Sequence, residues 1–179
     1  MARAKACKAC GSKFEPTRST QVICFSLPCA ITHTANLKAK RERKETREAK
    51  VKAKRRSDWM REAQSAFNKY IRLRDHGKAC ISCGRHHQGQ WHAGHYLSTG
   101  ARPELRFEEQ NVHLQCAPCN NHLSGNIVLY RIGLTAKLGL EAVDWLEGPH
   151  EAKHYTVDDL KAIKVDYTRK AKELANGTN

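Results

Sequence analysis

The sequence predicts an α+β fold: a small core stapled by zinc with flanking helices, preceded by a four-cysteine zinc module and a long basic helix. Three observations lead there. All eight cysteines fall in close pairs: Cys7 with Cys10, Cys24 with Cys29, Cys80 with Cys83, and Cys116 with Cys119. Short alternating segments lie between the third and fourth pairs, and apolar residues recur at helical spacing on either side. The 179 residues also carry 32 Lys and Arg against 18 Asp and Glu, a net charge of +14. That length suits one ordinary domain with an appendage, or two small domains.

The order along the chain follows from local composition. Residues 1–30 hold "CKACGSKFEPTRSTQVICFSLPC", which has too few apolar side chains to fold on a core and needs a metal to hold it. Residues 31–57 are predicted as a basic helical linker. Its segment Lys38 to Arg56 has eleven basic and three acidic residues, a net +8, made of helix formers with no broad apolar stripe. Such a helix stays exposed unless an anion covers it. Residues 58–179 form the main domain. Ser57 and Asp58 signal a helix start, after which Trp59, Ala63, Phe67, Tyr70 and Ile71 share one face. "QWHAGHYLS" and "NVHLQCAPC" read as strands joined by a loop containing Gly and Pro. A helix is expected from Asn120 to about Gly133, a short one at "KLGLEAVDWLEG", and a last one capped by Thr156 and Asp159, with Leu160, Ile163, Tyr167, Ala171 and Leu174 in register.

Paired cysteines in a reducing compartment read as metal ligands. Two Cys-x-x-Cys turns supply the four thiolates of a tetrahedral zinc site, so Cys80, Cys83, Cys116 and Cys119 are assigned to one structural zinc. Cys7, Cys10, Cys24 and Cys29 are assigned to a second. The 32 residues between Cys83 and Cys116 exceed what a simple zinc ribbon needs and must carry structure of their own.

That inserted segment holds His92, His95, Asn111 and His113, and Asn120 and His122 follow the last cysteine. If it folds as a hairpin, His92 and His95 face Asn120 across a shallow cleft able to take one hard divalent ion. Imidazole and amide oxygen are weak ligands for such an ion, so a substrate phosphate completes the shell. His113 is read as a structural hydrogen-bonding residue, and His86, His87, His150 and His154 as surface or packing residues. Positive charge points to nucleic acid ahead of an anionic membrane. Lys38, Lys40, Arg41, Arg43, Lys44, Arg47, Lys50, Lys52, Lys54, Arg55 and Arg56 are the candidate phosphate contacts. No run approaches the roughly 18 apolar residues of a membrane span, and "MARAKACKACGSKF" lacks the apolar core of a signal peptide. A soluble, intracellular protein with no membrane partner is expected.

The order Cys-x-x-Cys, "HAGH", "NVH", "CAPCN" resembles the HNH, or ββα-metal, nucleases, and among them the junction-resolving endonuclease VII of T-even phages. "CISCGRHHQGQWHAGHYLSTGARPELRFEEQNVHLQCAPCNNHLSGN" is similar to the NinG, or Rap, recombination proteins of lambdoid phages over nearly the whole chain. The resemblance implies a ββα-metal core with His95 as general base and Asn111 orienting its ring. It also implies a catalytic Mg²⁺ or Mn²⁺ on His92 and Asn120, with His122 as a less regular ligand and Ser124 standing where a second helix ligand often sits. By the same resemblance the substrate is branched recombination DNA, such as Holliday junctions and D-loops, cut to leave 5′ phosphates. The location is the host cytoplasm, a symmetric dimer suits the substrate, and other phage recombination proteins are possible partners. The competing reading is a non-catalytic double-zinc protein that binds or bridges DNA.

Overall fold

The computed structural model describes residues 3–177. The chain divides into two compact units, Met1–Lys54 and Arg55–Asn179. In the first unit a two-residue ladder pairs β1 (Lys5–Ala6) with β2 (Lys13–Phe14). Helix α1 (Leu27–Lys52) follows, with Pro28 in its first turn and Cys29 as its one buried residue. Pro suits that position because its missing N–H is unsatisfied there anyway. From Glu42 to Lys52 every residue of α1 is exposed. Three pairs of i,i+4 contacts, Lys38–Glu42, Arg41–Glu45 and Lys44–Glu48, run along it at 3.6–4.0 Å. Such exposed pairs contribute only about 0.3–0.5 kcal/mol each. The helix therefore rests on residue propensity and on its anchored first turn.

The second unit begins with α2 (Arg56–Arg74). Asp58 accepts a hydrogen bond from the Arg55 N–H at 3.0 Å, so the start signal works from the third helical position rather than as the cap itself. Trp59, Ala63, Phe67 and Ile71 are buried as the periodicity predicts. Strands β3 (Trp91–His95) and β4 (Val112–Cys116) form an antiparallel two-stranded sheet pairing Trp91 with Cys116 and His95 with Val112. Helices α3 (Ile127–Leu138), α4 (Leu140–Glu147) and α5 (Val157–Asn176) complete it. Thr156 and Asp159 form the expected capping box.

The hairpin lies between two layers. On one face Ala93 and Val112 pack with Phe67 and Ile71 of α2 and Tyr167 of α5. On the other, the Tyr130 hydroxyl of α3 donates to the Gly94 carbonyl at 2.8 Å and accepts the His113 N–H at 3.0 Å. Gly133 lets α3 approach closely, since a Cβ there would lie 2.0 Å from the Ile81 carbonyl oxygen. Helix α5 spends its apolar face on α2: Leu160 packs with Trp59 and Ala63. No described helix is long and apolar enough to cross a membrane.

One predicted element is corrected. Instead of a helix from Asn120 to Gly133, a single π-helical turn, Pro118–His122, precedes α3. Ser124, Gly125 and Asn126 all take positive φ, 48°, 89° and 46°, and no α-helix continues through consecutive left-handed residues. Asn120 thus sits inside a closed turn, not in the first turn of a long helix.

Candidate active site and metal centres

Each cysteine quartet gathers as its spacing predicts. In Cys7, Cys10, Cys24 and Cys29, and likewise in Cys80, Cys83, Cys116 and Cys119, the four sulfurs lie within 4.8 Å of one another. No other cluster of three or more His, Cys, Asp or Glu with that spacing occurs among the described residues. Four thiols so held can bind zinc, which favours tetrahedral sulfur ligation. In the first cluster, N–H groups of Cys24 and then Cys10 hold the Cys7 thiol down at about 6, while Cys24 and Cys10 push Cys29 up to about 12. In the second, burial pushes Cys116 up to about 12. Burial would raise Cys80 too, but the N–H of Cys116, with those of Cys83 and Ser82, outweighs it and the thiol is lowered. Each cluster therefore holds thiols shifted both ways, Cys7 and Cys10 down against Cys29 up in the first, Cys80 down against Cys116 up in the second. The sulfurs are also oriented: Asn126 Nδ2 reaches Cys119 Sγ at 3.4 Å, and His87 Nε2 lies 3.2 Å from Cys83 Sγ. Replacing Cys116 by Ser is expected to lower zinc from two equivalents to one and to abolish cooperative unfolding of residues 55–179. Elemental analysis and calorimetry check this; two retained equivalents would contradict it.

β3 runs out of the second cluster and carries both candidate histidines. His95, at its far end, is oriented by the Arg106 carbonyl 3.0 Å from Nε2. A carbonyl only accepts, so Nε2 bears the hydrogen and Nδ1 keeps its lone pair. The ring tilts against Phe67 at 6.4 Å. Burial lowers its pKa, slightly countered by the Arg106 carbonyl, so the ring is neutral at neutral pH. Asn111 makes no hydrogen bond to the ring among the described residues. Fully buried, Asn111 instead ties down the connecting loop, donating from Nδ2 to the Leu97 and Leu105 carbonyls and accepting from the Leu97 N–H. The direct orienting contact expected of Asn111 belongs to Arg106, and Asn111 holds the loop that presents it.

His92 and His95 are three residues apart, so strand pleating sends them to opposite faces of the hairpin. His95 lies on the α2 side. His92 pairs with Gln115, whose side chain reaches Ser82 and the Gly125 carbonyl beyond the hairpin's other face. A cleft on one face, as the sequence suggested, is therefore not how the two are related. What they share is the free edge of β3, the strand's unpaired side in a two-stranded sheet. His92 Nε2 is shielded from solvent and has no hydrogen-bond partner, a condition that ordinarily costs about 1–3 kcal/mol and that a ligand would relieve. Asn120 donates to Asn121 Oδ1 at 2.7 Å and its Oδ1 makes no hydrogen bond among the described residues. His122 and Ser124 are exposed. His92 Nε2 and Asn120 Oδ1 are thus two atoms of a kind that can ligate a divalent ion.

The comparisons bear on the whole chain. The family model described as "Bacteriophage Lambda NinG protein" matches residues 1–177. The chain belongs to the NinG family. Protein ninG of Escherichia phage lambda is 49% identical over 127 residues, covering 71% of this chain and 62% of that protein. Protein ninG of Escherichia phage 933W is 40% identical over 189 aligned positions, 95% of this chain and 93% of that one. Protein ninG of Salmonella phage P22 is 48% identical over 125 residues, 70% of this chain and 62% of its own length. The chain thus spans less than two thirds of the lambda and P22 proteins it matches. No solved structure matches it.

This NinG-family fold also contains a charged network that sequence reading missed. Asp75, 1% exposed, contacts Arg74 at 2.7 Å, Lys78 at 3.0 Å and Lys137 at 3.5 Å and accepts the Leu114 N–H. Burial opposes its charge, but the Arg74 guanidinium and the Lys78 ammonium prevail and keep the carboxyl far below the usual range. His113, read as structural, is so: Nε2 donates to the Gln110 carbonyl, while Arg74 and Lys137 lie 3.0 and 2.8 Å from Nδ1. Burial lowers its pKa, as two adjacent cations require. Of the predicted phosphate contacts, Lys38 through Lys52 line α1, while Arg55 and Arg56 open α2. Arg56 Nε donates to the Tyr155 carbonyl at 2.7 Å, which gives it a folding role. His150 packs on Trp145, ring centroids 4.5 Å apart.

Proposed function

We propose that this chain is a metal-dependent endonuclease of the HNH, or ββα-metal, kind that cuts branched DNA, and that recombination intermediates are its substrate. One observation carries the chemistry: His95 is a neutral imidazole with Nε2–H anchored on a backbone carbonyl and Nδ1 open as a proton acceptor. The reading is supported by the ββ–turn–α order, with the two strands between the pairs of the second cysteine cluster and the turn and α3 at its end, by the shielded, unpartnered His92 Nε2, and by membership of the NinG family. Branch preference rests on the resemblance of the motif to junction-resolving enzymes.

In this reading His92 and Asn120 would hold a Mg²⁺ or Mn²⁺, and a substrate phosphate would supply further ligands; His122, exposed and outside the clusters, is a weaker candidate. The chemistry such an ion would supply is neutralisation of charge building on the phosphoryl and leaving oxygens. His95 Nδ1 takes a proton from the attacking water, in line with the leaving 3′ oxygen. The Arg106 carbonyl stabilises the imidazolium that results. Arg106 and Asn111 are positioning residues, the second through the loop it braces.

Helix α1, with no acidic excess anywhere along it, binds phosphates nonspecifically. Neutralising Lys40, Arg41, Arg43, Lys44 and Arg47 to Gln is expected to flatten the salt dependence of DNA binding by about 4.5 in log–log slope, from ~0.9 per contact. Fluorescence anisotropy over a salt series reads it directly; an unchanged slope removes α1 from the interface. Cleavage of a labelled four-way junction, beside a linear duplex, tests the activity.

A further inference from the structure

We infer that the cavity beside Trp91 receives an unpaired base of the DNA strand that runs past His95. This rests on His95 as the cleaving group and adds what that reading lacks, a feature that distinguishes branched or opened DNA from duplex. The cavity is about 430 Å³ and is walled by Leu73, Trp91 and Leu114, with Lys69, Arg72 and the His76 ring at its rim. No Asp or Glu lines it. That volume is within the usual range for small-ligand sites, about 300–1,000 Å³. Lys69 and Arg72 form no ion pair among the described residues, although much of the rest of α2's charge is paired. Aromatic and apolar walls with unpaired cations at the rim suit a base and its flanking phosphates, since every base has a π-face and carries a charged backbone.

The cavity is also connected to the candidate base. Arg106, whose carbonyl holds His95, donates to Gln64 Oε1 at 3.2 Å, and Gln64 Nε2 donates to Asn68 Oδ1 at 2.8 Å. Gln64, Asn68 and Arg72 are four apart and therefore form one stripe on α2. They line a second cavity of about 460 Å³ with Arg106, and Arg72 lines both cavities. A polar track thus leads from the holder of His95 to the Trp91 cavity. Along β3 the two ends are roughly 13 Å apart, at ~3.3 Å per residue. In a stacked strand, which advances 3.4 Å per nucleotide, that separates base and cut by about four nucleotides.

The test uses full-length zinc-loaded protein without added Mg²⁺ or Mn²⁺, and four-way junctions carrying 2-aminopurine at successive positions about the branch. One position, about four nucleotides from the cut, is expected to change fluorescence on binding, with no such change in linear duplex. Trp91→Leu should erase that response. Because Trp91 also packs against the cysteine cluster, the exposed pair Lys69→Glu and Arg72→Glu is made as well and should weaken junction binding about tenfold or more at unchanged Tm. Bound junction with no responding position, or a response untouched by the double variant, overturns the base site. Cleavage with added Mg²⁺ is followed in parallel. Cutting without any fluorescence response refutes the cavity and spares His95; a response without cutting supports the cavity and refutes the nuclease.

Discussion

His95→Ala is expected to lower junction cleavage by about 10²- to 10⁴-fold, the range typical for a positioned general base, and to leave DNA affinity within about twofold. The asymmetry follows from its contacts: the ring makes one hydrogen bond, to Arg106, and packs on Phe67. Among the described residues it is in no ion pair and takes no part in either cysteine cluster. The pH profile should carry the same signature. A base acts when unprotonated, and burial lowers this imidazole from its ordinary 6.5, so cleavage should be flat across neutral pH and fall only below that value. Asn111→Ala should also reduce cleavage, with the inflection shifted, because it frees the loop that presents the Arg106 carbonyl. A profile rising through pH 7 and above would assign the base elsewhere.

Asp75→Ala should destabilise residues 55–179 by about 3–5 kcal/mol, the usual cost of removing one partner from a buried charge network. It strands Arg74 and Lys137 beside His113 and takes away the acceptor of the Leu114 N–H in β4. Tm should fall by more than about 10 °C, while zinc binding and, below the transition, cleavage per folded molecule persist. Acid acts through the same groups. The Asp75 contribution is complete above its unfolded value of 3.8 and is lost only as pH falls toward its much lower folded value. His113 and His95, both lowered in the fold, resist protonation, so stability begins to decline below about 6.5. A Tm unchanged by Asp75→Ala would show the network to be ornamental.

What the sequence made legible was local. The cysteine quartets close because knuckle spacing fixes each pair, and the remaining step is two pairs finding each other. The helix faces of α2 and α5 and the Thr156–Asp159 cap follow from periodicity and side-chain reach within one turn. What escaped depended on contacts far apart in the chain. Asp75 looks like a helix-ending acid until Lys137 and Leu114 arrive beside it. Arg106 carries no signal of its role, because its carbonyl is what matters to His95, and no side-chain pattern encodes a carbonyl's direction. The left-handed run Ser124–Asn126 was signalled by Ser-Gly-Asn, but the apolar residues after it suggested a helix continuing without a break. The pleat itself could have warned that residues three apart on a strand cannot share a face. Only the pairing of His92 with Gln115 made that unavoidable.

The most direct test of the account is a ³²P-labelled four-way junction incubated with zinc-loaded protein and Mg²⁺ or Mn²⁺, beside linear duplex and the His95→Ala variant. Paired nicks near the branch leaving 5′ phosphates, absent from the duplex and from the variant, are the predicted result. Tight binding with no nick in either metal, or nicks that persist in His95→Ala, would contradict it.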